Sequence, residues 1–155
     1  MKLCEAHPLL VAGLFLLPAT AFAEPGGGTL PQAPGDPVLE RVSQASARQD
    51  WAAAQALLKD AIARAPDNAE YHNLYAYAIR KGEKPDMQLV FTHYRKALAL
   101  DPRHRGAHEY IGEAYLMVND LPKAKEHLAQ LDRLCFLPCE EYTHLKQAIA
   151  RHEKR

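Results

Sequence analysis

One internal repeat constrains this chain more than anything else in it. "DAIARAPDNAEYHNLYAYAI" (residues 60–79) and "KALALDPRHRGAHEYIGEAY" (residues 96–115) align without gaps at an offset of 36 residues. Ala61 falls on Ala97, Pro66 on Pro102, His72 on His108 and Ala76 on Gly112. A unit of that length cannot bury its own apolar face, so copies must stack and share one. From Pro37 onward Ala, Leu, Lys, Glu and Arg dominate, which favours helix, and no stretch keeps the two-residue alternation of a strand. The expectation is an all-α array of helical hairpins.

The residues inside each unit sharpen that expectation. Val38, Val42, Ala45, Ala54, Leu58, Ala61 and Pro66 mark a first unit over 35–68, with Arg41 intruding at an apolar position. His72, Tyr75, Ala76, Ile79, Val90, Tyr94, Ala97 and Pro102 mark a second over 69–104, after a two-residue lengthening placed in "KGEKPD". His108, Ile111, Gly112, Tyr115, Ala124, Leu128, Leu131 and Phe136 mark a third over 105–138. Small residues let two helices approach closely, large ones fill the gaps beside them, and a proline after the second helix stops it. In "EEYTHLKQAIARHEKR", Tyr142, Leu145, Ile149 and His152 share one helical face, with acids in the first turn and bases in the last. That segment, 140–153, reads as the capping helix of the domain over 37–153.

This pattern resembles the tetratricopeptide repeat family, and implies a short solenoid of about three helical hairpins plus a C-terminal cap. The stretch from Tyr71 to Ile149 is also similar to small periplasmic tetratricopeptide proteins of Gram-negative bacteria, from which no activity carries over. The resemblance implies a concave groove lined by first-helix residues: Asn73, Tyr77, Arg80 and Lys81 in the second unit, and Glu109, Glu113, Leu116 and Met117 in the third. Mixed charge with some apolar grip suits a protein or peptide partner. The family's clamp of Lys, Asn and Arg for an acidic C-terminus is missing, because Glu109 and Glu113 stand at its places.

The N-terminus points to export. Lys2, the apolar run "LLVAGLFLL", Pro18 and the small residues of "AFA" follow the grammar of a secretory signal peptide over 1–23, cleaved after Ala23. The run is too short to span a bilayer, and no later segment is apolar enough to do so. Cys4 precedes the run, so it is not a lipid-carrying cysteine. "EPGGGTLPQAPGD", residues 24–36, has almost nothing to bury and reads as a flexible tether. The mature chain is therefore expected to be exported, and its resemblance to periplasmic tetratricopeptide proteins implies the periplasm.

With 19 basic and 19 acidic residues the chain is balanced, and nothing suggests nucleic acid or an anionic membrane as partner. No phosphate-cradling loop, nucleophile elbow or His-Glu-x-x-His is present, so neither an enzyme nor a cofactor is expected. After cleavage two cysteines remain, Cys135 and Cys139, in an oxidising compartment where a disulfide is the favoured pairing. The alternative is a metal-handling (Cu or Zn) or thiol-redox protein. His104 and His108 stand four apart at the start of one helix, on the hairpin edge expected to hold the cysteines, with His144 close by. His72 and His108 fill a packing position, whereas His93, His127 and His152 show no shared spacing that would gather them.

Overall fold

Asp36, Asp50, Asn68, Asp86, His104 and Asp120 punctuate the chain, and each side chain accepts a hydrogen bond from a backbone N–H in the helical turn that follows it. Such caps satisfy donors a helix cannot satisfy itself, which is why the breaks fall where they do. The computed structural model describes residues 35–137 and 139–154. The described residues form α1 (Pro37–Ala47), α2 (Trp51–Arg64), α3 (Ala69–Lys81), α4 (Met87–Leu100), α5 (Arg105–Met117), α6 (Leu121–Leu134) and α7 (Glu140–His152), and no strand. Residues 1–34, where the signal peptide and most of the tether are expected, lie outside them, as do Pro138 and Arg155.

α1 pairs with α2, α3 with α4 and α5 with α6. Each hairpin leans on the next, and α7 packs against both α5 and α6 as the first helix of a further unit would. The protein is an all-α helical-repeat solenoid. Two of the hairpin turns are built alike: Gln49 (φ 57°) and Asn119 (φ 59°) take the left-handed conformation. The next residues, Asp50 and Asp120, donate N–H back to Ala45 and Tyr115. The middle connection, Gly82–Asp86, is two residues longer than either, within the segment where the alignment needed its lengthening.

Small residues stand where helices touch: Ala54, Ala76, Ala97 and Ala124 are fully buried. At Gly112 the approach is closer still, because a Cβ there would meet Leu145 Cδ2 of α7 at 2.6 Å. The core has two parts. Val42, Ala45, Ala54, Leu58, Ala61, Tyr71 and Ala78 join α1–α3. A larger cluster centred on Tyr94, Ile111, Leu131 and Leu145 joins α3–α7, and Tyr75 packs against both. Arg41, the misfit of the first unit, points to solvent without preventing α1 from forming. Asp36, assigned to the end of the tether, both caps α1 and accepts a 2.6 Å hydrogen bond from the Tyr71 hydroxyl on α3.

One packing expectation fails. Phe136, assigned to the closing position of the third unit, is 101% exposed, and Leu137 beside it is 72% exposed. α6 ends at Leu134 and the chain turns away at Cys135, so neither side chain reaches the core.

Candidate functional site

α3, α5 and α7 carry the face on which the groove residues lie. Asn73, Tyr77, Arg80 and Lys81 come from α3, and Glu109, Glu113, Leu116 and Met117 from α5. Much of this polar chemistry is turned inward, between rungs. Arg80 meets Glu113 at 2.8 Å and donates from Nε to the Tyr94 hydroxyl at 3.3 Å. His104 Nε2 meets Glu70 at 2.7 Å, tying the start of α5 to α3. His144 Nδ1 meets Glu109 at 3.1 Å, and Arg105 meets Glu141 at 3.5 Å, tying α7 to α5. Asn73 is 2% exposed, with its amide donating weakly to Glu70 at 3.5 Å. Its Oδ1 has no hydrogen-bond partner among the described residues.

Burial pushes the Glu109 carboxyl above its usual range, and the nearby charge of Glu113 adds to the effect against the opposing pull of His144. The Tyr110 hydroxyl is pushed up to about 12, mainly by burial and then by Glu109. An aromatic and cationic ladder crosses the first two rungs. Trp51 meets Tyr77 edge-on at 5.8 Å, and Tyr77 lies 4.7 Å from Tyr110. Arg80 sits over Tyr77 and Tyr110, and Lys81 over Trp51 and Tyr77.

Open space remains at the α7 end. A cavity of about 230 Å³ is lined by Arg80 and Glu113, by Leu116 and Met117 of α5, and by Arg151 and His152 of α7. Met117 is 49% exposed. The α7 residues were missed by sequence reasoning, which treated that helix only as a cap. The similarity of its packing face to a repeat first helix was the available signal.

The histidines do not gather with the cysteines. His104 is spent as N-cap and as partner of Glu70, and His144 belongs to Glu109. His108 turns its Nδ1 to His127 Nδ1 on α6 at 2.9 Å and its Nε2 to the Pro102 carbonyl at 3.1 Å. His72 does the same one hairpin earlier, with His93 Nδ1 on α4 at 2.8 Å and the Pro66 carbonyl at 2.9 Å. His93 and His127 are thus each partnered within their own hairpin, and the two are not gathered with each other or with His152. Among the described residues no three His, Cys, Asp or Glu side chains stand together as metal ligands. Cys135 and Cys139 lie with their Cα atoms 5.8 Å apart, at the corner between α6 and α7.

No protein-family model matches the chain, and no curated protein matches it. Among solved structures it is similar to the TPR2B domain of yeast Sti1, described as a complex with pHsp70, with a TM-score of 0.67 and 18% identity. The match covers 76% of this chain and 94% of that one. At that identity the likeness speaks to fold, and the fold is tetratricopeptide-like.

Proposed function

We propose that this chain is a non-catalytic periplasmic scaffold whose concave groove binds a protein or peptide. The observation that carries the reading is the cavity between α5 and α7, where half-buried Leu116 and exposed Met117 stand beside Arg151. Such a surface offers apolar grip next to a charge, the combination that peptide grooves use. The Arg80–Glu113 and Glu109–His144 pairs hold the rungs in register, leaving recognition to the exposed residues around them. Export rests on the N-terminal segment, whose charged start, apolar run and small-residue cleavage site are those of a signal peptide. Among the described residues no helix is long and apolar enough to cross a membrane.

Affinity capture from a periplasmic extract tests the groove. A bait carrying Met117→Glu and Arg151→Glu leaves the rung-to-rung pairs intact and is expected to lose the proteins that the parent chain retains. An unchanged set of captured proteins removes the groove from the account.

The second element of the proposal is a disulfide between Cys135 and Cys139. The Cα separation of 5.8 Å suits a bridge. A loop this short restricts the unfolded chain little, so the bridge contributes less than the ~3 kcal/mol of a 15-residue loop. Its role is to fix the corner from which α7 docks. Thiol titration of the denatured mature chain should find no free cysteine before reduction and both after it. Two reactive thiols without reductant would exclude the bridge.

A further inference from the structure

The two histidine pairs obey a proton-counting rule. A carbonyl oxygen only accepts, so Nε2 of His72 and of His108 must carry hydrogen to bond Pro66 and Pro102. In the neutral ring Nδ1 is then a bare acceptor, and the facing Nδ1 of His93 or His127 must donate. One added proton is tolerated: the inner ring becomes a cation donating from both nitrogens, and the outer ring presents its lone pair instead. A second added proton puts N–H on both facing nitrogens. Two donors cannot remain 2.8–2.9 Å apart, so one ring must swing out.

We propose that the two pairs are an acid-release latch, in which each closed pair clamps its two helices to the preceding inter-unit turn and uptake of a second proton opens the hairpin. Of the charged groups around them, His104 of the α4–α5 turn opposes a charge on His108 while Asp101 favours it, Lys123 of α6 opposes a charge on His127, and His72 opposes one on His93. Tyr75 and Tyr115 pack their rings against His93 and His127. Asp67 of the α2–α3 turn pairs with Lys96 of α4. Among the described residues no carboxylate hydrogen-bonds to any of the four rings, so nothing of that kind supports a doubly charged pair. Burial, then the charges of His108 and Lys123, hold His127 down to about 4, and burial foremost lowers His93 and His108 as well. The same rule operates in two consecutive hairpins, so both clamps respond to one acidification. α3 and α5 also carry the concave face, yet the latch stands whether or not a partner binds there.

Nitrogen-detected NMR of the histidine rings in the mature chain, titrated from about pH 7.5 to about 3.5, tests the latch. At neutral pH His72 and His108 are expected as Nε2–H tautomers, and His93 and His127 as Nδ1–H tautomers. The second proton should enter each pair about one pH unit or more below the ordinary imidazole value. Amide protection in α3–α6 should fall in the same step. A His93→Asn, His127→Asn chain, whose amides can accept or donate toward the inner rings, should keep its helices and lose the step. Independent titration of all four rings near the ordinary value, with protection unchanged, overturns the latch, as does an unaltered acid step in the double variant. The parent titration decides alone if that variant does not fold.

Discussion

Replacing Gly112 by valine is expected to detach α7 and to lower the unfolding free energy by about 3 kcal/mol. A Cβ on Gly112 would stand 2.6 Å from Leu145 Cδ2, 2.8 Å from Cδ1 and 3.3 Å from Cγ. Leu145 is fully buried, so its whole side chain would have to move rather than one free tip. Alanine recovers about 1 kcal/mol of helix propensity lost at glycine, which offsets part of its overlap. Valine recovers less of that propensity and adds two methyl groups, so the easier escape is for α7 to leave, uncovering Leu145 and Ile149. Urea unfolding measures the loss, and hydrogen exchange localises it to α7. Leu145→Ala alone should cost about 2–5 kcal/mol as a core truncation. Combined with Gly112→Val, it should restore part of the stability, because each change relieves the other's misfit. Strictly additive losses would show that the two residues do not compete for the same space.

Arg80→Ala is expected to cost about 3 kcal/mol, for a different reason. The Arg80 side chain is 8% exposed and partners Glu113 and Tyr94 together. Its removal strands a buried hydroxyl and leaves the Glu113 carboxylate near Glu109 without its guanidinium. Glu113→Gln in the Arg80→Ala background should recover stability, whereas in the parent chain it should only weaken it. The loss should also shrink as pH falls toward the carboxylate range. Protonating the stranded carboxylate removes the uncompensated charge that the substitution creates. An Arg80→Ala loss independent of pH would count against the stranded-charge account.

Acid acts on this molecule in two directions. His93, His108 and His127 are lowered when folded, so the unfolded chain takes protons first. Their contribution to stability is complete above the ordinary imidazole value near 6.5 and is lost as pH falls below it. His104 is raised, chiefly by its hydrogen bond to Glu70. Its contribution is complete below 6.5 and is lost as pH rises through the folded value. Mild acid therefore weakens the ties within hairpins while strengthening a tie between them.

The helical array was legible because its periodic positions are the packing positions: Leu58, Tyr94, Ile111 and Leu131 are all fully buried or nearly so. What the pattern does not encode is how neighbouring rungs are staggered. Asn73, Arg80 and Glu109, read as groove contacts, are less than a tenth exposed, because the stagger brings Gly106, Glu113 and His144 against them. The histidine partners were hidden by arithmetic. His93 follows His72 by 21 residues and His127 follows His108 by 19, and the longer Gly82–Asp86 connection accounts for the difference. The idea of His104 and His108 gripping a metal with Cys135 and Cys139 used proximity of an edge without asking which ring nitrogens were free. Capping and proline carbonyls had claimed them.

The division of the core into two clusters that share Tyr75 has a consequence for cooperativity. A globular core couples every residue to every other, but here each half is a link in a nearest-neighbour chain. Among the described residues, strain introduced at either end travels to the other chiefly through α3. That helix sets whether the molecule melts as one body or as two, and the single Trp51 reports from the N-terminal side of that boundary.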